Sequence, residues 1–225
     1  MLVGVEARRF VSEEVIPRMR GMLHVHAAWV AGVLAVVLVA LAPTAKARIA
    51  AAIYGVGLVA LFTVSATYHR WRGDPRWKLW LRRMDHATIF VFIAASYTPV
   101  ALLVLQPAMR TVVLVSVWAG AAVGVALSVA WITAPRVISA VCYLAVGWVA
   151  VIALPELLEH AGVAPLALLV AGGALYSLGA AVYATRRPNL WPRTFGFHEV
   201  FHALVIAAAL AHFVAMAGWV LPSAG

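Results

Sequence analysis

Residues 195–221 read FGFHEVFHALVIAAALAHFVAMAGWVL: two histidines four apart, followed by an almost unbroken apolar run. A run of this length with no charge after Glu199 is long enough to cross a bilayer as one α-helix. At ~1.5 Å rise per residue, His198 and His202 stand about 6 Å apart along the axis on one helix face. That spacing suits two imidazoles on one metal ion. Ionisable groups entering a membrane span are costly and by default mark a functional site.

The remainder of the chain agrees with a membrane reading. Its 225 residues are 65% hydrophobic and only 11% charged, with a mean hydropathy of +0.97. A soluble domain carries about 25% charged residues, so this composition excludes one. The net charge of +9 sits in the segments between apolar runs, which argues for topology rather than nucleic-acid binding. The single Cys142 excludes an intramolecular disulfide and a cysteine-rich zinc site. No cleaved targeting segment is expected, because Glu13 and Glu14 follow Arg8-Arg9-Phe10 where an apolar stretch would have to begin.

Seven apolar runs are expected at 24–42, 49–69, 84–105, 111–132, 137–154, 164–184 and 195–221. The fold class is therefore an all-α integral membrane protein of seven transmembrane helices: a cytoplasmic segment, 1–23, and one seven-helix domain, 24–225. The expected breakers are Pro43, an Arg70–Arg83 loop, Pro107, Pro135, Pro155 with Pro165, and Pro188 with Pro192. With the N-terminus cytoplasmic and the C-terminus outside, 14 of the 17 Lys and Arg residues fall on the inner side, a strong positive-inside bias. Trp71, Trp77, Trp80, Trp191 and Trp219 fit an interfacial belt. Gly55, Gly57, Gly120, Gly124, Gly172, Gly173 and Gly179 read as close helix packing. Pro99 is expected to kink span three and free a carbonyl near Ser96 and Thr98.

This topology brings separate motifs to one depth. Span two ends on the inner side with Ser65-Ala66-Thr67-Tyr68-His69, span three begins there with Met84-Asp85-His86, and span seven begins there with His198 and His202. Three imidazoles with an open fourth position form the ligand set of a catalytic zinc, and neutral imidazole suits Zn²⁺. Asp85 is then the group to activate a water or to orient a ligand, and Ser65 a hydrogen-bond partner for that water or for a substrate carbonyl. Tyr68 and Tyr97 are further donors that nothing in the sequence aims. Glu199 points about 100° from His198 and suits a helix start. His86 faces elsewhere, His24 and His26 read as interfacial, His160 belongs to an outer loop, and His212 lies deeper and off the cluster's face.

At these residues the chain resembles the hemolysin III branch of the progestin and adipoQ receptor family, related to the adiponectin receptors. The resemblance rests on Ser65-x-x-x-His69, on Asp85-His86 with Ala94-Ala95-Ser96-Tyr97-Thr98-Pro99, and on Gly196-Phe197-His198-Glu199-Val200-Phe201-His202, with Arg20-Gly21 and His24 ahead of span one. It covers nearly the whole chain. Without the long N-terminal extension of the animal receptors, the chain looks like a bacterial member, located in the plasma (inner) membrane. The resemblance implies Zn²⁺ on His69, His198 and His202, with Asp85 and Ser65 beside it. Related receptors are associated with hydrolysis of lipid amides such as ceramides, and bacterial members with hemolysis, membrane energetics and lipid homeostasis. The leading expectation is a zinc-dependent hydrolase acting on an amide or ester of a membrane lipid. The alternatives are a non-enzymatic hemolysin, channel or sensor with a structural zinc, and an intramembrane protease using the literal His198-Glu199-x-x-His202 motif.

Overall fold

The computed structural model describes residues 16–224. The helices are α1 (Met22–Leu41), α2 (Ala45–Arg70), α3 (Pro75–Leu103), α4 (Pro107–Ala130), α5 (Arg136–Gly147), α6 (Leu154–Ala161), α7 (Val163–Thr185) and α8 (Phe197–Ala215). A 3₁₀ segment, Trp148–Ala153, joins α5 to α6, and a π turn, Met216–Val220, extends α8. Among the described residues seven helical spans are long and apolar enough to cross a membrane, α5–α6 counting as one, and extended pairing is limited to a bridge between Trp191 and Phe195. The basic tail expected over 1–23, with Arg8 and Arg9, lies outside the described residues as far as 15.

Local chemistry sets where the helices start. Thr44 caps α2, its Oγ1 accepting from the Ala47 amide at 3.2 Å. Asp74 caps α3, accepting from the Arg76 amide at 2.7 Å. Pro75 and Pro107 occupy first-turn positions, where a missing N–H leaves no hydrogen bond unmade. The Arg70–Arg83 loop expected from sequence is thereby corrected: only Trp71–Asp74 is non-helical, and Pro75 opens a 29-residue helix. Span five also differs from its expected limits of 137–154. Pro155 sits in the first turn of α6, so it restarts the helix instead of ending it, and the span runs to Ala161. The break at 148–153 has a partner of its own, because the Tyr97 hydroxyl donates to the Gly147 carbonyl and accepts from the Ala150 amide at 2.9 Å.

Consecutive spans pack as neighbours, α1 on α2, α2 on α3, α3 on α4, and α7 on α8, while α8 returns to α1. Helix α1 buries only His24, Ala31 and Leu38, a one-heptad repeat that makes a single narrow seam. Trp29, Val33 and Val36 of the same helix are exposed, as suits a surface whose solvent is lipid. Trp77, Trp80, Trp191 and Trp219 are likewise exposed. Helix α3 continues through Pro99. Near the carbonyl that Pro99 leaves without a donor, Thr98 Oγ1 donates to the Ala94 carbonyl at 2.9 Å and Ser96 Oγ to that of Ile93 at 2.8 Å.

Close helix approach depends on glycine. A Cβ on Gly57 would stand 2.7 Å from the Ala95 Cβ of α3, and one on Gly55 the same distance from the Ala35 Cβ of α1. Neither neighbour has a flexible end that could swing away. Gly57→Ala is therefore expected to separate α2 from α3 and to cost about 1–3 kcal/mol as an overpacked contact. Thermal unfolding in detergent checks this through a lowered Tm, whereas Gly173→Ala, which meets open space, should leave the Tm within about a degree or two.

Candidate metal centre

Three helices deliver the polar cluster to one end of the bundle. His69 is the penultimate residue of α2, Asp85 lies about three turns into α3, and His198 and His202 occupy the first turns of α8. The imidazoles of His69, His198 and His202 each present a ring nitrogen, and the three atoms lie within 4.8 Å of one another. The Nε2 atoms of His69 and His198 approach to 2.9 Å. Ring centroids are 4.5 Å apart for His69–His198 and for His198–His202, and 5.1 Å for His69–His202. His202 is 2% exposed, and the His69 side chain 7%.

This donor set fits a divalent ion. Tetrahedral coordination at about 2.0–2.1 Å separates ligand nitrogens by about 3.3 Å, so small rotations of these rings would place all three around one centre. A neutral imidazole offers one donor and one acceptor; a facing pair satisfies itself, but a third ring aimed at the same point needs something else to bind. The Asp85 carboxylate stands 3.9 Å from His69 Nε2, and buried Ser65 is its hydroxyl neighbour. All five residues singled out in the sequence, Ser65, His69, Asp85, His198 and His202, thus meet in one place.

Glu199 belongs elsewhere. Its Oε1 accepts from Arg20 Nε at 2.7 Å and its Oε2 from the Gly196 amide at 2.9 Å. Both oxygens are engaged in holding the start of α8, so the literal His-Glu-x-x-His motif does not present its glutamate to the imidazoles. Tyr97 is committed to the break in span five. His86 turns toward Tyr143, its Nδ1 3.3 Å from the hydroxyl; His212 Nε2 meets the Leu169 carbonyl at 3.1 Å; His160 pairs with the Glu156 carbonyl and with Gln106 ahead of α4. None of these three joins the triad, as expected, although His86 and His212 line the cavity beyond it.

His24 is a correction. It is not interfacial but 3% exposed, lying face to face on His202 with centroids 3.7 Å apart and planes within 4°. Phe62 packs edge-on against it with centroids 5.0 Å apart, and neither of its ring nitrogens has a hydrogen-bond partner among the described residues. In the structure His24 begins the buried seam continued by Ala31 and Leu38, which the sequence does not single out because His26, Val33 and Ala40 share the same spacing. His26, by contrast, is exposed. The chain reaches His24 through Gly21, whose φ of +78° is a left-handed conformation and whose missing Cβ would lie 2.6 Å from the His69 Cβ. Either fact alone favours glycine there.

The cluster opens into a cavity of about 480 Å³, a size typical of small-molecule sites. From His69 and Asp85 it extends past Tyr97, Tyr143 and Trp148 to Leu157 and His212, and most of its wall is apolar.

A seven-helix membrane protein with a buried triad of imidazoles at one end of an internal cavity is the class that fold and site define. The chain belongs to the haemolysin-III related family, whose model matches residues 14–213. It is similar to Hemolysin-3 of Bacillus cereus, at 29% identity over 181 residues covering 80% of each chain. It is also similar to the Hemolysin-3 homolog of Bacillus subtilis (strain 168), at 30% over 161 residues and 72% of each chain. Heptahelical transmembrane protein ADIPOR2 of Oryza sativa subsp. japonica is 34% identical over 186 residues, covering 73% of this chain and 79% of its own. The family and the seven apolar spans together make this a multi-pass membrane protein.

The stack on His202 gives a direct test of His24. His24→Phe keeps an aromatic face against the ring and should retain metal affinity within a few-fold, whereas His24→Ala removes the support and should weaken it about 10–100-fold. Metal titration of the purified protein reads the difference. Equal losses in the two variants would mean that the nitrogens matter and the stack does not.

Proposed function

We propose that this protein is a zinc-dependent hydrolase of an amide or ester bond in a membrane lipid, with His69, His198 and His202 holding the ion. The observation that carries this reading is the position of Asp85, 3.9 Å from a triad nitrogen, where the polar end of the cavity meets its apolar length. When bound there, Zn²⁺ would supply Lewis acidity and a lowered water pKa. The chain's own residues do the rest. Asp85 takes a proton from the attacking water and returns it to the departing amine or alcohol. Ser65 keeps the carboxylate turned toward the triad. Tyr68, tilted over His69 with centroids 4.6 Å apart, restricts bulk water, and the apolar walls take the acyl chain, so that the scissile carbonyl rests at the mouth. The basic residues around this end support its lying at the cytoplasmic face of a bacterial plasma membrane, with the N-terminus inside.

The name Hemolysin-3 carried by a relative favours a second reading, a lytic or channel protein in which the ion is structural and Asp85 closes the coordination. Asp85→Asn separates the two. As a catalytic base, Asp85 should be replaceable with metal content intact and turnover of a lipid amide or ester lowered about 10²–10⁴-fold. His202→Ala should lose both metal and turnover. Turnover unchanged in a metal-free His198→Ala protein would reject the catalytic role of the metal, and conductance in liposomes that needs the metal, without lipid turnover, would establish the alternative.

A further inference from the structure

The cavity mouth carries a second group of polar side chains that the triad does not use. Arg20, Lys78, Arg82 and Arg136 all line it, while Asp85 is the single carboxylate in its wall among the described residues. Arg20 is committed to Glu199 at 2.7 Å, and Asp85 faces His69. Among the described residues, Lys78, Arg82 and Arg136 have no carboxylate within ion-pair distance.

Arg136 is the most constrained of them. It opens α5, and its guanidinium carbon lies 5.7 Å from the Tyr183 ring centroid and 5.6 Å from that of Phe197. Two aromatic faces thus restrict the plane of the fork. Its Nη1 is buried and has no acceptor among the described residues. A guanidinium stays protonated, and a buried charged donor left without a partner is costly. A neutral amide or ester group would leave most of this positive charge uncompensated. A phosphate or carboxylate, which accepts from a guanidinium through two parallel hydrogen bonds, would compensate it.

We propose that the mouth binds the anionic head, phosphate or carboxylate, of an amphiphile whose chains enter the apolar cavity, with Arg136 as the principal donor and Arg82 beside it. This deepens the reading of the cavity as a lipid site. Its test is binding and not turnover, so failure of hydrolysis leaves it standing, and its own failure leaves the triad chemistry untouched.

The experiment measures binding to the purified full-length protein in a neutral detergent, with three probes: dioctanoyl phosphatidic acid, dioctanoylglycerol and inorganic phosphate. The wild type should bind the phosphatidic acid at least about tenfold more tightly than either of the others. Arg136→Gln should weaken phosphatidic acid binding about tenfold, with dioctanoylglycerol binding and metal content unchanged. Arg82→Gln should act in the same direction less strongly, and it decides the matter if Arg136→Gln fails to fold. Equal affinity for the phosphatidic acid and the neutral glyceride, or wild-type binding in both variants, would overturn the proposal. Inorganic phosphate binding as tightly as the lipid would overturn its amphiphile half and leave a free-anion site.

Discussion

The ion pair between Arg20 and Glu199 ties together the two ends of the chain, 179 residues apart. Glu199 is 1% exposed, and a buried carboxylate is tolerable only when its oxygens are occupied. One oxygen holds Arg20, and the other holds the amide that begins α8. Backbone hydrogen bonds from Arg18 to the Arg193 carbonyl at 3.1 Å and from Met19 to that of Thr194 at 3.2 Å lay the entry segment against the loop before α8. The same strap sets Gly21 against His69 and His24 against His202. A single carboxylate that does not itself line the cavity thus governs how the imidazoles are held.

Much of this was legible in the sequence because a membrane restricts the choices. Apolar length set the number of spans, and alternating direction then placed His69, Asp85, His198 and His202 at one depth with no knowledge of helix packing. Rotation about each helix axis was harder. His86, Glu199 and His212 were turned away by counting 100° per residue, and their contacts agree with that count. His24 was missed because a histidine at the start of a span suits the headgroup region as well as the core. Spacing does not distinguish the two, because His26, Val33 and Ala40 repeat the interval of seven on an exposed face. Arg136 went unnoticed for a related reason: a lone arginine between spans already has an explanation in topology.

The errors in helix limits share one cause. Pro155 reads as a breaker and Pro75 falls within the expected Arg70–Arg83 loop, yet each stands in a first turn, where proline costs nothing. Extending α3 to Pro75 carries Lys78 and Arg82 onto a rigid helix beside Asp85, turning an expected loop into part of the cavity rim. Extending span five through Pro155 requires a repair at Gly147–Ala150, and the Tyr97 hydroxyl provides it. Tyr97 stands just ahead of Thr98 and Pro99, so the irregular parts of spans three and five meet in the cavity wall.

The order in which the chain is made bears on the triad. His24, His69 and Asp85 emerge from the ribosome in the first three spans, while His198 and His202 arrive only with the last. Through most of synthesis the early groups stand in the bilayer without their partners, and no three-nitrogen site exists to capture an ion. The three-nitrogen arrangement is thereby deferred until the seventh span has entered the membrane and Glu199 has met Arg20. On the reading proposed above, the triad could be loaded only at the end of biogenesis, and a chain truncated before α8 would lack two of its three imidazoles.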